Sequence, residues 1–119
     1  MHKYLAYAAF GWLTVSGALH FAIDVVSQFA RGKRLPGPET TLYYGLNTTY
    51  ALGQVLFGLL GLIVAHSAVE LLGRWPALSL SALATVAWLA IGFAYIEYRE
   101  PKIMVGIFGT LLLAFAITS

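Results

Sequence analysis

TLYYGLNTTYALGQVLFGLLGLIVA, Thr41–Ala65, runs for 25 residues without an Asp, Glu, Lys or Arg. At 1.5 Å of rise per residue, a helix of this length exceeds the roughly 30 Å hydrocarbon thickness of a bilayer. Three further apolar runs flank it, Tyr4–Ala30, Pro76–Tyr98 and Ile103–Thr118. Hydrophobic residues make up 60% of the 119-residue chain and charged residues 10%, and the mean hydropathy is +0.79. That composition lies outside the range of soluble domains, and no segment between the runs could fold alone. The sequence therefore predicts an all-α integral membrane protein, a single domain over residues 1–119. Its short connections join antiparallel neighbours in an up-down four-helix transmembrane bundle.

The connections carry helix-breaking and helix-starting signals. In GKRLPGPET, Gly32–Thr40, the residues Gly32, Pro36, Gly37 and Pro38 predict a loop, after which Thr40 or Thr41 would cap the second helix beside Glu39. HSAVELLG, His66–Gly73, is amphipathic, so the second helix is expected to continue past Ala65 until Gly73 ends it. Pro76 and Pro101 suit the first turns of the third and fourth helices. Around Pro101, Glu97, Arg99, Glu100 and Lys102 would neutralise one another at the interface.

Charge placement predicts orientation. Arg31, Lys33, Arg34, Arg99 and Lys102 fall in the first and third loops, against Lys3 and Arg74 on the other side. By the positive-inside rule those two loops are cytoplasmic and both termini are outside, and the five-to-two bias argues against dual topology. A bacterial inner membrane is the compartment expected. The first run is too long for a cleavable signal peptide and carries Asp24. Without cysteine the chain has no disulfide, catalytic thiol or thiolate ligand. The basic loops suit anionic headgroups, and nothing points to nucleic acid.

His20 and Asp24 lie one turn apart inside the first run. A charged side chain at the centre of a membrane helix costs about 2.5–3.5 kcal/mol, so such residues face the protein interior and mark candidate sites. Helical periodicity aligns Leu13, Gly17, His20, Asp24 and Ser27 on the first helix. Asn47, Tyr50 or Ala51, Gln54, Gly58 and Gly61 share a face of the second, and Ser81, Thr85, Trp88, Gly92 and Tyr95 a face of the third. Depths counted from the loop ends place Asp24 about 10 Å in and Asn47 about 9 Å in, His20 and Trp88 about 16 Å in, and Gln54 about 20 Å in. On that count Asp24 meets Asn47 and Tyr95, and His20 meets Gln54 and Trp88. The result is a polar and aromatic cavity opening in the cytoplasmic half, with Tyr50 on its wall.

The bland alternative is that these polar groups only bond between helices and fix register. Glycines at positions 53, 58, 61, 92, 106 and 109 read as close-packing residues. Tyr4, Tyr7, Trp12, Tyr43, Tyr44, Trp75 and Tyr98 read as an interfacial aromatic belt. No metal or cofactor is expected: His20 and Asp24 lack a third ligand, and His2 and His66 stand at other levels for a paired-histidine haem site.

SGALHFAID, Ser16–Asp24, resembles the first-helix Gly-x-x-His-x-x-x-acid pattern of EXPERA-type proteins, the family of emopamil-binding sterol isomerases. FAYIEYRE, Phe93–Glu100, is loosely similar to the end of that family's third helix, with Tyr95 and Glu97 near the exit. The resemblance implies a four-helix cavity in which a histidine and carboxylates bind amines or move a proton at a sterol double bond. His20 and Asp24 would be the corresponding pair and Asn47 a cavity amide. The family's second-helix acid is matched at best by Gln54, and the two strings cover under a quarter of the chain. GALHFAID together with Tyr43–Leu62 also resembles small DoxX-like bacterial four-helix membrane proteins, a likeness that implies no activity.

Three functions fit these residues. The first is binding of a lipid-like or isoprenoid-like molecule, with or without isomerase-type proton transfer by His20 and Asp24, since imidazole ordinarily titrates near neutrality. Trp88 and Tyr95 would then line the ligand. The second is a non-catalytic accessory or assembly subunit of a membrane complex. The third is a proton-coupled carrier of the small multidrug type, for which the chain would have to form a homodimer.

Overall fold

The computed structural model describes residues 2–32, 34–96 and 99–118. Helices account for nearly all of them, and no strand occurs among the described residues. The first rod consists of α1 (His2–Phe21), a π-helical segment (Ala22–Ser27) and α2 (Gln28–Arg31). It is followed by α3 (Pro38–Leu72), α4 (Trp75–Tyr95) and α5 (Glu100–Ile117). All four rods are long and apolar enough to cross a membrane.

The boundaries follow from local chemistry, with one informative departure. Gly32 closes α2 in the left-handed conformation (φ 60°, ψ 34°) that glycine adopts at least cost. Pro38 does not end a loop but begins α3, because its fixed φ suits the first turn and its missing N–H would be unpaired there anyway. The predicted caps, Thr40 and Thr41, are therefore already helical, and Thr41 Oγ1 donates back to the Gly37 carbonyl (3.2 Å). At the other end α3 continues to Leu72 and is closed by Gly73, as the amphipathic extension predicts, with non-helical backbone at Ala68. Pro76 and Pro101 stand in the first turns of α4 and α5. Ile96 is extended after α4, and the charges expected at Lys33 and Glu97 and the belt position Tyr98 lie outside the described residues.

α1 packs along α3 and α5, α4 packs on α5, and α3 and α4 touch only sparsely. The α1–α3 contact is close because two glycines permit it. A Cβ on Gly61 would collide with the Phe10 ring, and one on Gly58 would come within 2.8 Å of the Thr14 amide nitrogen and 2.9 Å of the Phe10 carbonyl. Ala6, Ala9, Phe10 and Leu13 then form the core with Ala65, Phe108, Leu112 and Phe115. Gly106, expected to pack, has nothing within 4 Å of a built Cβ, since its face of α5 is open.

Two aromatic residues assigned to the belt instead tie helices together. Trp12 Nε1 donates to the Met104 carbonyl (2.8 Å), joining α1 to α5. The Tyr7 hydroxyl meets His66 Nδ1 (3.3 Å), joining α1 to α3. At this same end Lys3 Nζ donates to the His66 carbonyl (3.5 Å) and His2 Nδ1 meets Thr118 Oγ1 (3.0 Å).

Candidate functional site

His20 and Asp24 are both buried, but their partners differ from those that depth counting predicts. His20 Nδ1 lies 2.8 Å from Asp24 Oδ2, and His20 Nε2 lies 2.9 Å from Asn47 Oδ1. The cause is the early start of α3. Counted from Pro38, Asn47 stands about 14 Å along its helix, close to the roughly 16 Å of His20 from Arg31, whereas Gln54 stands about 24 Å along. His20 therefore meets Asn47 and not Gln54.

The contacts close into a ring. Asn47 Nδ2 donates to the Tyr43 carbonyl (2.9 Å), and the Tyr43 hydroxyl donates to the Asp24 carbonyl (3.0 Å). Asp24 of the π-helical segment, His20 of α1, and Asn47 and Tyr43 of α3 thus form one circuit. Such π-helical segments insert a wider turn into a helix and occur often at functional sites. Asp24 is the acidic residue within it.

The ring also fixes the proton arrangement. Because Asn47 gives its amide N–H to a backbone carbonyl, the oxygen of that amide faces His20, so His20 Nε2 must carry a hydrogen and donate it. A backbone carbonyl can only accept, so the amide cannot flip without opposing two oxygens. One further proton fits on the Nδ1···Oδ2 axis. Whether it rests on the imidazole or the carboxyl, the pair carries no net charge. Side-chain exposure is 2% for His20 and 12% for Asp24, which makes Asp24 the member through which a proton would exchange.

Around the ring the remaining predicted site residues separate. The Tyr50 ring packs on the His20 ring at 5.2 Å between centroids, and its hydroxyl donates to the Trp88 carbonyl (3.5 Å). Trp88 is not beside His20 at the cavity; it packs edge-on against Phe57 and Phe108, where the sparse α3–α4 contact leaves room for a large side chain. Gln54 is 2% exposed, and among the described residues its Nε2 meets no partner at hydrogen-bond geometry. Tyr95 is 69% exposed.

Next to the ring lies a cavity of about 540 Å³. Tyr43 and Asn47 form its polar wall, Leu42, Leu46 and Ile96 its apolar wall, and Arg34 and Tyr95 complete the lining. His20 and Asp24 stand behind Asn47 and Tyr43, outside this lining. Tyr43 and Arg34 are therefore the residues that sequence reading misses. The signal for Tyr43 was present, since it precedes Asn47 by four residues and shares its helix face.

Among the described residues no group of three or more His, Cys, Asp or Glu side chains gathers as a metal site. Compared with known proteins, the chain matches no protein-family model, and no curated protein or solved structure matches it either.

Proposed function

We propose that this chain is an integral membrane protein whose rods run up and down in antiparallel order, and that its cavity binds a lipid-like or isoprenoid-like molecule. The antiparallel order is supported by the company each end keeps. His2, Lys3, His66 and Thr118 meet at one end, while Gln28, Arg34 and Tyr43 meet at the other. The basic bias of the loops supports a cytoplasmic position for the Arg34 end and an external position for both termini. An impermeant thiol reagent should leave Leu35→Cys unlabelled in intact cells and label it after permeabilisation, in a chain with no native cysteine. Labelling before permeabilisation would reverse the orientation.

The observation that carries the binding reading is the cavity itself. Its volume lies within the roughly 300–1,000 Å³ typical of small-molecule sites, and it combines apolar walls with a few fixed polar groups. In this reading the buried ring holds Asn47 and Tyr43 rigid as the polar wall, which lowers the ordering cost of binding. Isomerase-type proton transfer has less support, because both nitrogens of His20 are engaged inside the protein and neither is directed at the cavity. The carrier reading loses support for the same reason, since Asp24 already holds its partner.

Leu46→Trp fills the cavity from a half-buried wall position. Binding of the uncharged polyene cis-parinaric methyl ester to the purified protein, read by its fluorescence, is expected to weaken about tenfold or more, the equivalent of 1.4 kcal/mol. Equal binding by wild type and variant, at equal thermal stability, would place the probe elsewhere and remove the basis of the proposal.

A further inference from the structure

We propose, resting on the cavity reading above, that the occupant is an amphiphile with an anionic head, a phosphate or a carboxylate, and that Arg34 receives it. Among the described residues of the cavity lining Arg34 is the one that carries a charge, and its side chain is held in place. Its Nε donates to Gln28 Oε1 (3.0 Å), and its guanidinium carbon lies 3.3 Å from the centroid of the Tyr43 ring. Stacking occupies a face of the guanidinium and the Gln28 contact occupies Nε, so both Nη groups keep their in-plane donors. That planar fork matches carboxylate and phosphate oxygens.

No carboxylate among the described residues lies at ion-pair distance from Arg34. Glu39 belongs to the adjoining loop depression, which Arg34 also borders, and not to the cavity. The charge that the described residues bring to the mouth therefore favours an anion over an amine.

The polar wall indicates which way the molecule enters. The Tyr43 hydroxyl is committed to the Asp24 carbonyl, and the Asn47 amide bridges His20 and the Tyr43 carbonyl. A charged head placed there would disrupt the ring. At Arg34 it completes a fork already fixed by Gln28 and Tyr43, leaving the tail to Leu42, Leu46 and Ile96.

The test uses cis-parinaric acid, ionised at pH 8, against its methyl ester, with inorganic phosphate alone as competitor. Wild type is expected to bind the acid about tenfold to a hundredfold more tightly than the ester, the range of a charge-assisted hydrogen bond. Arg34→Gln is expected to remove that preference, weakening the acid about tenfold or more and the ester by less. Phosphate at millimolar concentration should not displace the acid; displacement would mean a free-anion site and would overturn the amphiphile. Equal binding of acid and ester by wild type, or equal weakening of both by Arg34→Gln, overturns the role of Arg34 while the cavity reading stands. Failure of both probes to bind wild type removes the cavity reading as well.

Discussion

His20→Leu is expected to lower the free energy of unfolding by about 1–3 kcal/mol, the cost of leaving a buried polar group without its partner. The variant strands the Asp24 carboxyl and removes the His20 contact of the Asn47 amide oxygen. The double variant His20→Leu with Asp24→Leu should recover most of that loss, because it removes the stranded group along with its partner. Asp24→Asn should cost less than about 1 kcal/mol. Its amide N–H can donate to His20 Nδ1 while Nε2 continues to donate to Asn47, so a neutral ring persists. Unfolding in mixed detergent micelles gives all three values on one scale. Equal losses for His20→Leu and Asp24→Asn would show that the ring does not act as a unit.

Gly58→Ala is the second large effect, expected to destabilise the fold by about 1–3 kcal/mol, as overpacking of a close contact does. Here the obstacle is backbone: the added methyl meets the Thr14 amide nitrogen and the Phe10 carbonyl of α1, and neither can rotate away. Gly45→Ala on the same helix supplies the contrast. Nothing lies within 4 Å of a Cβ at Gly45, so the higher helix propensity of alanine should stabilise the protein by up to about 1 kcal/mol. If the two substitutions change the unfolding temperature alike, the close approach of α1 to α3 is wrong.

The helices were legible because hydropathy over 20 residues is a strong signal, and the proline and glycine signals brought most ends near their observed positions. Pro38 was the exception. The rule that identified Pro76 and Pro101 as first-turn residues applied equally to Pro38, but the crowd of helix breakers before it made it read as loop. That three-residue error propagated into the depth of Asn47 and so into the wrong partner for His20. Burial of His20, Asp24, Asn47, Tyr50 and Gln54 was readable from the cost of polar groups in an apolar helix. The ring was not, because half of it uses backbone carbonyls, which leave no mark in a sequence. Arg34 escaped for a related reason: a loop arginine reads as headgroup charge until the fold stacks it on Tyr43.

The neutrality of the His20–Asp24 pair has a consequence for electrical behaviour. A transmembrane voltage acts on an elementary charge with about 2.3 kcal/mol per 100 mV across the full span. A pair that is neutral with its shared proton at either end offers that field only a dipole about one hydrogen bond long. In the proposed membrane setting, energising the bilayer would leave the centre of the molecule nearly unmoved, and any voltage-linked response would have to originate in the charged side chains nearer the helix ends and loops.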